Sequence, residues 1–91
     1  MNTNIGNSYI TVDANAYECK INGFLLLGAA TYNETILFKI PFKLSSGTKY
    51  FGTSMNGRGF KMTSSGEFKV NGSFTLSAST YIYFGESFAI A

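Results

Sequence analysis

Apolar and polar residues alternate in short runs along this chain, and glycine, asparagine and serine separate the runs. No segment keeps its apolar residues at helical spacing over the roughly ten residues that a helix needs. Runs rich in Val, Ile, Thr, Tyr and Phe between turn residues are typical of β-strands. The pattern predicts an all-β protein, folded as a compact antiparallel β-sandwich of about eight short strands.

Turn residues set the limits of the predicted strands. Asn22-Gly23 is a strong signal for a two-residue hairpin turn, so it predicts that strands 17–21 and 24–32 pair around it. Residues 85–86 predict a bulge or a turn near the end of the chain. The other predicted strands cover residues 9–12, 35–40, 49–54, 60–63, 67–71 and 73–77, and residues 80–91 form one or two more. Ser65-Gly66 and Asn71-Gly72 are turn signals before and after strand 67–71.

Alternation within two of these strands defines a predicted core. Every second residue of strands 35–40 and 67–71 is a large apolar one. Side chains two positions apart on a strand point to the same face, so these residues should meet in the interior. The predicted core residues are Ile36, Phe38, Ile40, Phe68 and Val70.

The length of the chain, 91 residues, allows one domain. We expect residues 1–16 to form a lead-in, loose over its first residues, with a first short strand, and residues 17–91 to form the sandwich. Strand 24–32 is apolar on both faces, and residues 88–91 are apolar as well. A domain this small has little interior, so these segments predict burial between the subunits of a homotrimer.

Composition and charge exclude several function classes. Seven basic and five acidic residues are scattered along the chain, which argues against a nucleic-acid partner. The longest apolar run, residues 24–30, is too short for a membrane span. There is no His, and Cys19 is the single cysteine, so an intrachain disulfide and the usual His or thiolate metal sites are excluded. We expect no metal and no cofactor.

Catalytic residues are hard to place in this sequence. A nucleophile needs a neighbouring base, and Cys19 has no histidine to serve it. A glycosidase needs two facing carboxylates, and no motif pairs any two of the five acids, which fall at turns or at polar strand positions. We expect the protein not to be an enzyme.

A neutral polar surface that carries tyrosines remains as a candidate binding surface. Tyrosine combines a flat apolar face with a hydroxyl, so it can stack on a sugar ring and bond to its edge. The alternative is that most of these rings pack in the core or at subunit contacts. The tyrosines concerned are Tyr32, Tyr50, Tyr81 and Tyr83.

The loop 55–59 supplies further candidate ligand-binding residues. Arg58, the only arginine in the sequence, offers a planar fork of donors that suits vicinal hydroxyls or a phosphate. Asn56 offers a donor and an acceptor, and Tyr50 on the preceding strand offers a stacking face. The sequence thus predicts a site of Tyr50, Asn56 and Arg58. The alternative is that Asn56 only serves the turn and Arg58 is a solvated charge.

One succession of segments resembles a known family. In order they are 17–23 (YECKING), 24–30 (FLLLGAA), 35–41 (TILFKIP), 50–51 (YF), 66–70 (GEFKV) and a last strand that ends at Phe88. Their order and spacing are similar to the C-terminal domain of bacteriophage tail-fibre and baseplate receptor-binding proteins, over some four-fifths of the chain. Two departures concern loops: residues 42–49 lack the family's second proline, and Ser65 replaces the usual Asp before the hairpin glycine.

The resemblance implies a location and a partner. Such a domain is a compact, usually trimeric β-sandwich at the tip of a tail appendage, so the chain would be made in the bacterial cytoplasm and incorporated in the virion. It would bind a polysaccharide or wall polymer of the host cell surface. The family has no fixed set of binding residues that could be carried over. The alternative is a structural phage protein without a ligand, such as a trimerisation cap or a capsid decoration protein.

The apolar surplus of the sequence generates a first testable prediction. We expect light scattering at micromolar concentration to give three times the mass of the single chain, because a trimer interface would cover strand 24–32 and residues 88–91. A stable monomer at that concentration would contradict it.

Overall fold

The computed structural model describes residues 2–5, 8–45, 47–54 and 59–91. These residues form antiparallel strands and no helix, which confirms the all-β prediction. The strands are β1 (Asn2–Ile5), β2 (Ser8–Ala14), β3 (Glu18–Leu27), β4 (Thr31–Asn33), β5 (Ile36–Lys39), β6 (Lys49–Phe51), β7 (Gly59–Met62), β8 (Glu67–Asn71), β9 (Ser73–Thr75) and β10 (Thr80–Ala89).

The strands of the described residues are arranged in three sheets. The first sheet has the order β1-β2-β3-β10, and the second sheet has the order β5-β8-β7-β6. The strands β4 and β9 form a small two-stranded sheet. Apolar side chains from all three sheets share one core, which gives the packed layers of a β-sandwich.

Phenylalanine rings join the first and second sheets. Phe68 on β8 is fully buried, and its ring centroid lies 5.0 Å from that of Phe84 on β10. The ring of Phe38 on β5 stacks on Phe68 at 4.6 Å, and Phe51 meets it edge-on at 5.2 Å. The contacts of Phe84 with Phe68 and, at 6.0 Å, with Phe38 cross between the sheets, and they hold the two layers together.

The predicted hairpin turn at Asn22-Gly23 is wrong. Both residues lie inside β3, which continues from Glu18 to Leu27 and pairs with β2 on one side and β10 on the other. Gly23 has a φ of +139°, and a Cβ there would lie 2.0 Å from the carbonyl oxygen of Tyr9. The glycine therefore permits a close approach of β2 to β3 and does not reverse the chain.

The strand predicted over 24–32 is wrong as well. β3 ends at Leu27, and Thr31–Asn33 is a separate strand of the small sheet. Leu25 and Leu27 point into the core, whereas Phe24 and Leu26 lie half-buried on the outer face.

Four of the five predicted core residues are confirmed. Phe38, Ile40, Phe68 and Val70 are buried. Ile36 is 44% exposed, so its prediction is wrong. The pairing of β5 with β8 shifts register between Ile36 and Phe38, and this irregularity turns Ile36 to the outer face.

The C-terminal segment is one continuous strand and not two. Gly85 lies in unbroken register opposite Asn22, so the bulge or turn predicted at residues 85–86 does not form. Phe88 and Ile90 are buried in the core of their own chain. The apolar C-terminus therefore gives little support to a trimer interface.

One further segment differs from expectation, and one predicted turn is confirmed. Asn2–Ile5 pairs with β2 in an antiparallel register, where a loose start was predicted. Gly72, with a φ of +94°, forms a corner between β8 and β9, which lie in different sheets. The Asn-Gly signal at this place does mark a change of direction, because a positive φ favours glycine.

The aromatic contacts of Phe68 generate a stability prediction. Phe68→Ala should lower the free energy of unfolding by about 3–5 kcal/mol, because it leaves a cavity where four other rings converge. Ile36→Ala on the exposed face is the control and should cost about 1 kcal/mol or less. Urea unfolding followed by tyrosine fluorescence would measure both, and equal costs would contradict this core.

Candidate functional site

Three aromatic residues lie side by side on the outer face of the first sheet. In the strand register Phe24 on β3 is opposite Tyr9 on β2 and opposite Tyr83 on β10. Tyr83 is 57% exposed and Tyr9 is 38% exposed, while Phe24 is half-buried between them. The three side chains form a row across the strands, because residues in register point to the same face.

A second pair extends this row along the strands. Leu26 is opposite Tyr81, which is 45% exposed. The ring of Phe24 meets Tyr81 edge-on at 5.8 Å and lies 5.9 Å from Tyr83 at a tilt of 47°. We call Tyr9, Phe24, Leu26, Tyr81 and Tyr83 the aromatic platform. Its apolar surface faces away from the core, and so does not serve the packing of the two sheets.

Polar residues occupy the next positions along β3 and β10. Asn22 is opposite Gly85, and Lys20 is opposite Ser87. These residues line a shallow hollow together with Ile21 and Glu86 of the same two strands and Lys49 of β6. We call Lys20, Asn22, Gly85 and Ser87 the polar groove. It continues the line of the aromatic platform along the same two strands.

Charges around the polar groove are paired within the protein. The Lys49 Nζ donates to the carbonyl oxygen of Ser87 at 2.8 Å and lies 3.4 Å from a carboxylate oxygen of Glu86. The Lys20 Nζ lies 3.7 Å from a carboxylate oxygen of Glu18. These pairs are solvent-exposed and contribute little stability. They do leave the groove with balanced charge.

The outer edge of β10 is held by the segment that follows Pro41. The backbone N–H of Ser54 donates to the carbonyl of Tyr83 at 3.0 Å, and the Tyr83 N–H donates to the Ser54 hydroxyl at 2.9 Å. The Ser45 N–H donates to the carbonyl of Ala89 at 3.0 Å. Because these bonds anchor β10 on its second side, the platform stands on a strand fixed along both edges.

Of the three residues that the sequence predicted as a binding site, one lies away from the aromatic platform and two lie outside the described residues. Tyr50 is 63% exposed, but it is on the outer face of the second sheet, opposite Lys61. Tyr50 and the aromatic platform therefore belong to different sheets. Asn56 and Arg58 lie outside the described residues, so their role in binding stays a prediction.

The other tyrosines singled out by the sequence divide into two groups. Tyr81 and Tyr83 are exposed and belong to the platform. Tyr32 is half-buried: its hydroxyl donates to the carbonyl of Gly28 at 2.8 Å, and its ring lies 5.4 Å from that of Phe74. Tyr32 thus packs against the core.

Sequence reasoning missed Tyr9, Phe24 and the polar groove. Part of the signal was present, because Cys19, Ile21, Leu25 and Leu27 share the inner face if residues 18–27 are taken as one strand. The hairpin assigned to Asn22-Gly23 divided that pattern. Phe24 and Tyr83 are cross-strand neighbours only because β3 pairs with β10, and no local motif predicts that pairing.

A charged cluster lies on the outer side of the second sheet. The Glu34 carboxylate accepts hydrogen bonds from the Lys61 ammonium and from the backbone N–H of Gly72, and it lies 4.0 Å from the Lys69 ammonium. These contacts, first the Lys61 bond and then the Gly72 bond, lower the pKa of Glu34 below its ordinary value of 4.5. Glu34 therefore anchors the corner at Gly72, whereas the sequence indicated only that it falls at a turn or a polar strand position.

The single cysteine is not exposed to solvent. Cys19 is fully buried in the core. Burial, with a smaller effect of the Asp13 carboxylate, raises the pKa of its thiol and keeps it protonated. Within ranges 2–5, 8–45, 47–54 and 59–91 no three metal-ligating side chains of His, Cys, Asp or Glu come together. The same ranges hold no helix of the length and apolar character that a membrane crossing requires.

No protein-family model, curated protein or solved structure matches this chain. Its function is therefore inferred from the geometry of the outer face and from the resemblance seen in the sequence.

The contacts of Glu34 generate a pH-dependent prediction. Because the pKa is lower in the folded chain, the carboxylate stabilises the fold fully above pH 4.5, and this contribution is lost as the pH falls through the lowered pKa. Glu34→Gln should melt below the parent protein at neutral pH, and the difference should shrink below pH 4.5. Thermal melts across the acid range would measure it, and a difference independent of pH would contradict the role of ionisation.

Proposed function

We propose that this chain is a non-catalytic binding domain whose aromatic platform and polar groove hold a saccharide of a host cell surface. The observation that carries the proposal is the row of Tyr9, Phe24 and Tyr83, an aromatic surface turned to solvent on a sheet whose opposite face already fills the core. Aromatic faces beside neutral hydrogen-bonding groups suit a sugar ring, which has an apolar face and a hydroxyl-bearing edge.

The rigidity of the surface supports the same proposal. The platform residues lie on paired strands, and β10 is also bound to Ser45 and Ser54 along its outer edge. A surface that is already ordered loses little conformational entropy when a ligand binds. Such a surface can recognise a sugar through contacts that are individually weak.

The setting that we propose is the tip domain of a phage or prophage tail fibre or baseplate, with a function in adsorption to the host. The support for this setting is the sequence resemblance, which runs from residue 17 to the end of the chain. In that setting many copies of the domain would act together, so that modest affinities combine into firm attachment.

A second candidate function is a contact between copies of the chain, in a structural phage protein without a ligand. The half-buried Phe24 and Leu26 favour it, because apolar groups on an outer sheet face are often covered by another subunit. The two candidates use the same face and differ in what covers it. The homotrimer stays a prediction under both.

Removal of one platform ring tests the proposed function. Tyr83→Ala should weaken binding to a purified host cell-surface polysaccharide by about 1–2 kcal/mol, or about five- to thirtyfold, because the ring is a central, exposed anchor. Glycan arrays followed by calorimetry on the best glycan would measure it. Tyr17→Ala is the matched control, since Tyr17 is 80% exposed and its contacts with Asn15 and Ile90 are made by its backbone.

The same variants separate the candidates. Loss of binding in Tyr83→Ala with none in Tyr17→Ala supports the platform. A third variant, Tyr50→Ala, tests the site that the sequence predicted. Loss of glycan binding in Tyr50→Ala but not in Tyr83→Ala would place the site on the second sheet. If the protein binds no glycan and Tyr83→Ala changes the oligomeric mass, the platform is a contact between copies of the chain and not a saccharide site.

A further inference from the structure

Gly85 occupies a position in β10 for which the fold does not require glycine. Its φ is outside the left-handed region, and its register with Asn22 is unbroken. A Cβ built on it would have Asn22 Cβ as its nearest neighbour at 3.8 Å, an ordinary van der Waals contact. Gly66 differs, with a φ of +90° and a Cβ that would lie 2.4 Å from a carbonyl oxygen.

A glycine in the middle of a long strand weakens the strand, because it has a large conformational freedom to lose and no side chain to pack. β10 has ten residues, and Gly85 is the sixth of them. Glycine at such a place often marks a close approach of another group to the backbone. No other part of the described chain fills the space above Gly85, since Asn22 Cβ is the one heavy atom recorded within 4 Å of the built Cβ.

The gap at Gly85 lies between the two halves of the outer face. Along β10 the outward residues run in the order Tyr81, Tyr83, Gly85, Ser87. From Tyr81 to Ser87 the strand rises about 20 Å, at about 3.4 Å per residue. A side chain at position 85 would divide this path, whereas glycine leaves it open from the aromatic platform into the polar groove.

We propose that an extended, uncharged saccharide chain lies along β10 and passes over Gly85, and that Gly85 determines specificity by admitting a sugar ring between Tyr83 and Ser87. This inference rests on the proposed function. One part of the saccharide stacks on the aromatic platform. The next part of the saccharide contacts the backbone of Gly85 and forms hydrogen bonds with Asn22 and Ser87. The length of the path suits an oligosaccharide and exceeds a single ring.

The charge balance of the groove argues for an uncharged ligand. Lys20 is paired with Glu18, and Lys49 is paired with Glu86 and bonded to a carbonyl. An acidic polymer would have to compete with these carboxylates for both ammonium groups. Hydroxyl groups can bond to Asn22 and Ser87 without disturbing any ion pair.

Gly85→Thr tests the proposal, and Gly59→Thr is the matched control. Gly59 also lies in a strand and has room for a Cβ, with its nearest neighbour Asn71 at 3.5 Å, but it belongs to the second sheet. Both variants should keep the wild-type circular dichroism spectrum, and Gly85→Thr should melt no lower than wild type. Affinity electrophoresis in gels containing glucan, mannan, galactan or acidic polygalacturonate would measure binding.

We expect wild type and Gly59→Thr to bind a neutral polysaccharide with little dependence on salt, and Gly85→Thr to lose at least about tenfold in affinity, about 1.4 kcal/mol. A longer oligosaccharide should compete better than its monosaccharide. Failure of the wild type to bind any polysaccharide would remove the proposed function itself. If Tyr83→Ala abolishes binding and a folded Gly85→Thr retains it, only the proposed path over Gly85 is overturned. A preference for polygalacturonate that salt suppresses would overturn the uncharged ligand.

Discussion

The packing of phenylalanine rings between the two large sheets is the interaction on which the rest of the molecule depends. Phe68 from the second sheet and Phe84 from the first sheet meet at the centre, with Phe38 and Phe51 around them. Because these rings satisfy the inner faces, every alternate residue of each strand is directed to solvent. The aromatic row of the first sheet is thus a consequence of core packing, combined with a sequence that places tyrosine where a sandwich normally has a small polar residue.

The two outer faces of the sandwich differ in how far their side chains are bonded within the protein. On the second sheet, Glu34 ties Lys61 and the Gly72 corner together, so that its polar groups are largely used within the protein. On the first sheet, the rings of Tyr81 and Tyr83 contact Phe24 and keep much of their surface free. A surface with unused apolar area beside neutral polar groups is suited to recognition, and one with internally paired charges is suited to holding a corner.

Local pattern predicted the strands of the second sheet well, because β6, β7 and β8 pair with their neighbours in the sequence. The turn at Gly66 and the buried residues Phe68 and Val70 follow from alternation and turn chemistry alone. The first sheet was harder. Asn22-Gly23 favours a hairpin locally, but the pairing of β3 with both β2 and β10 overrides that preference. Tyr83 could be singled out by its residue type, whereas its position beside Phe24 could not.

Assembly of the candidate surface requires segments that are far apart in the chain. β2 and β3 supply Tyr9 and Phe24 early in the sequence, and β10 supplies Tyr81 and Tyr83 more than 50 residues later. During synthesis the early strands must therefore wait for residues 80–89 to leave the ribosome before the sheet can close. The second sheet can form in the meantime from contiguous strands. A chain released before β10 would lack Tyr81 and Tyr83, so that the complete aromatic platform is confined to molecules whose translation has passed this strand.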